Sequence, residues 1–141
     1  MSTEKAERLL IADDDPNLID AYVLFFEACG YTIQTAADGV GALAAYCAWR
    51  PDVVMLDVQM PGMDGRAVAR EIRRMSVIPC PLLVAVTALG APSERVESLK
   101  AGFDHHFVKP AQLPVILTAI ASRRHDQTDR RMALARTRPS R

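Results

Sequence analysis

Residues 52–57 read DVVMLD, four consecutive apolar side chains closed at each end by a carboxylate. A strand buried on one face alternates apolar and polar residues, whereas an unbroken apolar run requires cover on both faces. The same form recurs on either side. Arg8 to Ala12 (RLLIA) is a short apolar run that leads into Asp13, Asp14 and Asp15, and Leu82 to Thr87 (LLVAVT) is apolar up to its terminal hydroxyl. Between these runs the period changes to that of a helix. Leu18, Tyr22, Phe25, Phe26 and Cys29 follow the first run at helical spacing, with Gly30 placed as a stop. Tyr31 to Ala36 is predicted as a second strand, and Asp38 then caps a helix whose expected apolar face is Val40, Leu43, Ala44 and Cys47 before Pro51. Val68, Ile72 and Met75 mark a third helix. Pro92 opens a fourth that runs through Val96 and Leu99 and stops at Gly102. His106 to Val108 supply a last strand, and Leu113, Leu117 and Ile120 a last helical face. Five strands alternating with five helices, several of the strands unbroken apolar runs, predict a doubly wound α/β sandwich around a parallel sheet, because parallel strands need helical crossovers.

Composition agrees with one compact domain. The chain has 141 residues, 50% of them hydrophobic and 24% charged, with no internal repeat. A domain of this size removes about 68–70% of its chain surface from water, enough for a core without disulfides. Three cysteines cannot all pair, so Cys29, Cys47 and Cys80 are expected as reduced thiols serving as small core residues; no C-x-x-C spacing points to zinc. The opening MSTEKAERLL has no signal-peptide character, which suggests a cytoplasmic protein. The longest uncharged stretch, Met75 to Ser93, is broken by Pro79, Pro81, Gly90 and Pro92, which excludes it as a membrane helix. Net charge is zero but uneven: residues 122–141 hold seven Arg against two Asp, +5, which leaves −5 on the remainder. The expected organisation is an extension over 1–7, a domain over 8–122 and a basic tail over 123–141, disordered for want of apolar residues. Contact with nucleic acid, if any, is expected only through that tail.

Doubly wound sheets bind ligands beyond the carboxyl ends of their strands. Asp13, Asp14 and Asp15 follow the first strand, Asp57 ends the third, Thr87 ends the fourth and Lys109 follows the fifth, so all share one rim. Asp15 precedes Pro16 and is explained as a helix cap. Asp13, Asp14 and Asp57 would repel one another unless a cation neutralised them, and oxygen-only ligands favour a hard cation such as Mg²⁺. A carboxylate beside a divalent cation, an ammonium and a hydroxyl can carry a phosphoryl group as an acyl phosphate. Lys109 and the metal would offset charge on the phosphoryl oxygens, and Thr87 would hydrogen-bond one of them.

In these residues the sequence closely resembles the receiver domains of bacterial two-component response regulators, over about residues 8–122. The family's acidic pair matches Asp13 and Asp14 in LLIADDDP, its phosphoacceptor Asp57 in VVMLDVQMPGMDG, its hydroxyl residue Thr87 in VAVTA, and its lysine Lys109 in HFVKP. The resemblance implies a flavodoxin-like (βα)5 fold with strand order 2-1-3-4-5. It implies that Asp14 and Asp57 ligate Mg²⁺ directly with the backbone carbonyl of Gln59, that Asp13 acts through water, and that the Lys109–Pro110 bond is cis. By the same resemblance Asp57 takes its phosphoryl group from a phosphohistidine on a sensor histidine kinase or a histidine phosphotransfer protein. The surface of the fourth helix, last strand and fifth helix then changes toward a downstream protein target, the chain being a monomer or a phosphorylation-dependent dimer. Such a protein is a signalling phosphoacceptor rather than an enzyme. The chain beyond residue 122 is short for an output domain, so a regulator acting alone is expected, and a receiver module cut from a larger hybrid kinase would read the same. One position departs from the pattern: many receivers carry Tyr or Phe as a switch three residues before the lysine, and here that residue is His106, expected to swing inward when Thr87 moves. Leu89 and Gln59 occupy positions that influence water access in the family.

Three alternatives are weaker. Gly39, Gly41 and Ala44 spell G-x-G-x-x-A with Asp57 roughly 20 residues on, as in dinucleotide sites, but such a site would leave Asp13, Asp14, Thr87 and Lys109 without roles. A capped helix start with Val40 and Leu43 packed on the sheet accounts for the glycines. A receiver-like scaffold that works without phosphorylation is disfavoured by the intact acidic and lysine positions. A metal pair at His105 and His106 is disfavoured because neighbours on a strand face opposite ways.

Overall fold

A computed structural model describes residues 6–122. Its elements are β1 (Arg8–Ala12), α1 (Pro16–Ala28), β2 (Thr32–Ala36), α2 (Gly39–Trp49), β3 (Val53–Leu56), α3 (Gly65–Arg74), β4 (Leu82–Thr87), α4 (Pro92–Ala101) and β5 (His105–Val108). Residues 113–122 form a last helix, α5. The strands make one parallel sheet in the order β2-β1-β3-β4-β5. Residues 123–141, where the basic tail is expected, and residues 1–5 of the expected extension lie outside the described residues.

The apolar runs of the inner strands feed two cores. Leu10, Val54, Leu56, Leu83 and Ala85 face α2 and α3, where they meet Tyr46, Val68 and Ile72. The intervening residues Leu9, Ile11, Val53, Met55, Val84 and Val86 face the other way, against Tyr22 and Phe26 of α1 and Ile116 and Ile120 of α5. A strand covered on both faces has no position for a polar side chain, hence the unbroken runs. β2 is an edge strand, and its Thr32, Gln34 and Thr35 are exposed.

Helix ends follow the sequence signals. Asp15 caps α1 by accepting from Asn17 N at 2.9 Å, with Pro16 in the first turn, and Asp38 caps α2 by accepting from Gly41 N. Gly102 ends α4 in the left-handed region at φ 114°, a conformation that costs glycine nothing sterically.

Two expectations are corrected. Cys29, Cys47 and Cys80 are exposed, not core residues; Cys29 caps the end of α1, Cys47 lies on the outer side of α2 and Cys80 in the loop before β4. The buried face of α2 is Gly39, Ala42 and Tyr46, while Val40, Ala44 and Cys47 are exposed and only Leu43 of the predicted face is partly buried. GVGALAAYCAW is apolar nearly all round, so its periodicity selects no side; Tyr46, the largest fully buried side chain, marks the face on the sheet. In α4, Ser98 and Ala101 are buried, whereas Val96 and Leu99 are 47% and 53% exposed. Among the described residues no helix is long and apolar enough to cross a membrane.

Candidate functional site

Strand pairing carries the acids to one place. Ala12 pairs with Leu56 across β1 and β3, and the ladder continues one step further as Asp57 N–H donates to the Ala12 carbonyl at 3.0 Å. Asp13 N–H donates to the Ala36 carbonyl at 3.1 Å on the other side. Asp13 and Asp57 thus stand side by side at the carboxyl rim, 2% and 5% exposed, while Asp14 is exposed above them. One oxygen from each of Asp13, Asp14 and Asp57 lies within 4.8 Å of the others. The spacing lets one ion touch all three, and the all-oxygen donor set fits a hard divalent cation.

Each buried carboxylate is half satisfied by its own loop. Asp13 Oδ1 accepts from Asp15 N–H and Asp57 Oδ1 from Gln59 N–H, both at 2.9 Å. Their other oxygens face Lys109, whose Nζ donates to Asp13 Oδ2 at 2.8 Å and to Asp57 Oδ2 at 2.7 Å. Burial alone would lower the ammonium's pKa; the hydrogen bonds and charges of Asp13 and Asp57 outweigh it and hold Lys109 well above the ordinary lysine range. Lys109 is aimed by its backbone, since its N–H continues the β4–β5 ladder to the Thr87 carbonyl at 2.8 Å, and its bond to Pro110 is cis. Thr87 is fully buried at the end of β4, and its Oγ1 accepts from Leu89 N–H at 3.3 Å.

The loop between β3 and α3 is held close by Gly65. Its N–H donates to the Val58 carbonyl at 2.9 Å, and a side chain there would run into the Asp57 carbonyl oxygen. Asp64 caps the helix by accepting from Ala67 N–H at 2.8 Å. Gly39, the first glycine of the dinucleotide-like run, serves a similar purpose: a side chain there would collide with the Met63 carbonyl.

The rim holds Asp13, Asp14, Asp57, Thr87 and Lys109 together, with Gln59 touching Asp57 through its backbone. His106 is on the same strand as the approach to Lys109 but under α4, 5% exposed, and its ring is already inward. Sequence reasoning missed Tyr22. It faces a groove of about 450 Å³ beside Lys109 and Pro110, and its hydroxyl pKa is raised by burial and by the charges of Asp13, Asp57 and Asp15 against the opposing pull of Lys109. The helical spacing gave Tyr22 only as a core residue.

Comparison with known proteins agrees with this arrangement. The family model described as the response regulator receiver domain matches residues 9–121. The response regulator MprA of Mycobacterium ulcerans is 40% identical over 110 residues, 78% of this chain and 47% of that protein. The chain spans less than half the length of the curated relatives it matches. A CheY-like response regulator receiver domain protein from Methanospirillum hungatei superposes with a TM-score of 0.82 at 25% identity, covering 89% of this chain and 99% of that one. The structure of the CheX-CheY-BeF3-Mg+2 complex from Borrelia burgdorferi gives 0.76 at 28% identity, covering 82% and 87%. With the acidic cluster, the parallel sheet order and a family match over most of its length, the chain belongs to the response regulator receiver domain family.

Proposed function

We propose that Asp57 is the phosphoacceptor of a two-component relay, with Mg²⁺ held directly by Asp14, Asp57 and the backbone carbonyl of Gln59 and through water by Asp13. The observation that carries this is the cluster of three carboxylates within 4.8 Å, two of them buried against one lysine. An Asp57 carboxylate oxygen attacks phosphorus of a phosphohistidine; a P–O bond forms, the P–N bond breaks and the imidazole keeps the electron pair. Mg²⁺ bound there would screen the approach of two anions. Lys109 holds its proton and donates to the arriving phosphoryl oxygens in place of Asp57 Oδ2, and Thr87 donates its hydroxyl proton to another. The new charge of about −1.5 to −2 then biases the surface of α4, β5 and α5.

The donor is a sensor histidine kinase or a histidine phosphotransfer protein, and the receiver occupies residues 8–122 of a cytoplasmic regulator that passes its state to a protein target. Incubation with Mg²⁺ and a small phosphodonor tests this: the intact chain gains one phosphoryl mass, and Asp57→Asn gains none. Absence of any gain, with a cognate kinase included, would favour a scaffold that works without phosphorylation.

A further inference from the structure

α4 is held in place by polar contacts more than by apolar burial. Its Val96 and Leu99 face outward, and its buried side is Ser98 and Ala101. From α3, Arg66 Nη2 donates to the Glu94 carbonyl and carboxylate, both at 2.8 Å, and the same guanidinium reaches Ser98 Oγ at 3.4 Å. From β5, the His106 ring spans the gap between helix and loop: Nδ1 lies 2.8 Å from Ser98 Oγ and Nε2 lies 2.7 Å from the Leu89 carbonyl oxygen. Arg95 Nη1 donates to the His106 carbonyl at 3.0 Å.

These partners dictate where the ring proton sits. A carbonyl oxygen can only accept, so Nε2 must carry the proton. Ser98 Oγ receives Arg66 and keeps its own proton for Nδ1. A second proton on the ring would leave the Ser98 hydroxyl facing donors only and would set a cation beside Arg66. Leu89 is consequently held at both backbone groups, its carbonyl by His106 and its N–H by Thr87 Oγ1. The Leu89 N–H occupies one lone pair of the Thr87 hydroxyl oxygen, which turns the hydroxyl proton away from Leu89 and leaves it to donate elsewhere. A cavity of about 290 Å³ lies beside His106 between α4 and β5, lined also by Arg95, Leu99, Asp104, His105 and Phe107.

We propose that His106 is a latch, held inward before phosphorylation as the neutral Nε2–H tautomer that the Leu89 carbonyl requires, and that Ser98 is the positioning residue that secures the ring at Nδ1 and, through Leu89, the orientation of Thr87. The idea rests on Asp57 being the phosphoacceptor, and it differs from the expected swinging switch: the ring is inward from the start, and what varies is how firmly it is held. Ser98 acts at a distance from the rim: its contacts are the His106 ring and the Arg66 guanidinium, and of the two it is the ring that hydrogen-bonds Leu89.

Two measurements on the full chain test it. Two-bond ¹⁵N–¹H spectra of the His106 ring should show one Nε2–H tautomer in the wild type and a displaced Nδ1 resonance in Ser98→Ala, which loses the hydrogen bond at that atom. Beryllofluoride titrated with Mg²⁺ should bind Ser98→Ala about three- to tenfold more weakly, the loss expected for one hydrogen bond coupled to the site. A wild-type ring that is mixed or Nδ1–H overturns the proposal without recourse to any variant. So does a Ser98→Ala ring unchanged from wild type, or a changed ring with undiminished beryllofluoride affinity. If wild type takes up no beryllofluoride, the phosphoacceptor assignment falls and the ring spectra alone decide the latch.

Discussion

Lys109 Nζ stands 2.7 Å from Asp57 Oδ2 and 2.8 Å from Asp13 Oδ2, so a single ammonium neutralises part of two buried carboxylates at once. It is therefore both a stabilising counterion and a competitor of any cation bound by the same acids. Lys109→Met should raise Mg²⁺ affinity about tenfold, equivalent to roughly 1.4 kcal/mol, while slowing phosphorylation of Asp57. Without Mg²⁺ the variant should lose about 3 kcal/mol of stability, as a buried ion group stripped of its partner does. Calorimetric Mg²⁺ titration and urea unfolding with and without the ion check both parts; unchanged affinity would separate Lys109 from the cation site.

The same contacts fix an alkaline pH dependence. Lys109 is raised in the folded chain, so the ion pairs contribute in full below the ordinary lysine value of roughly 10.4 and are lost as pH rises through the higher folded value. Urea unfolding at stepped alkaline pH should show wild type converging on Lys109→Met at the top of that range. Parallel curves would mean that the ammonium contributes nothing to folding.

Gly65 sets the closeness of α3 to Asp57. A Cβ there would run into the Asp57 carbonyl and come within 3.0 Å of Val58 Cα, backbone atoms that cannot move without shifting the site. Gly65→Ala should cost about 1–3 kcal/mol and slow phosphorylation, whereas nothing lies within 4 Å of a Cβ at Gly62. The comparison of the two variants isolates crowding from backbone strain, because Gly62 has a positive φ of 74° and Gly65 does not.

Arg73 ties α3 to the far end of the sheet. Its Nε donates to the Gly102 carbonyl at 2.9 Å, its Nη1 to the Pro81 carbonyl at 2.8 Å and its Nη2 to Asp104 Oδ2 at 2.8 Å, an oxygen that also accepts from Leu83 N–H. Arg73→Ala should cost about 1.5–3 kcal/mol in chemical unfolding with phosphorylation nearly unchanged, since the cluster lies away from the rim.

The exposure of Cys29, Cys47 and Cys80 predicts that all three thiols react with a thiol reagent in the native chain at rates close to those of the unfolded one. Burial of any of them would show as a slow phase limited by unfolding.

The inner strands were legible because burial on both faces leaves only apolar residues, and the rim followed once the ends of RLLIA, DVVMLD and LLVAVT were lined up. The parallel order came from family resemblance, since nothing in the periodicity tells which strands are neighbours. The face of α2 was misread and the buried side of α4 was not marked, for opposite reasons. α2 is too uniformly apolar to mark a side, and α4 buries Ser98 because Arg66 and His106 supply its hydrogen bonds from elements 32 and 8 residues away in sequence. Such contacts leave no local signal. The Lys109 bridge to Asp13, across 96 residues, was foreseen only as shared rim occupancy.

The most direct test is to trap the acyl phosphate chemically. After phosphotransfer from a phosphorylated histidine kinase in Mg²⁺, borohydride reduction converts the modified aspartate to homoserine, and peptide mass mapping locates it. The account predicts homoserine at position 57 alone, dependent on Mg²⁺ and on the presence of Asp13 and Asp14. Homoserine at another aspartate, or transfer that proceeds equally well in a metal chelator, would contradict it.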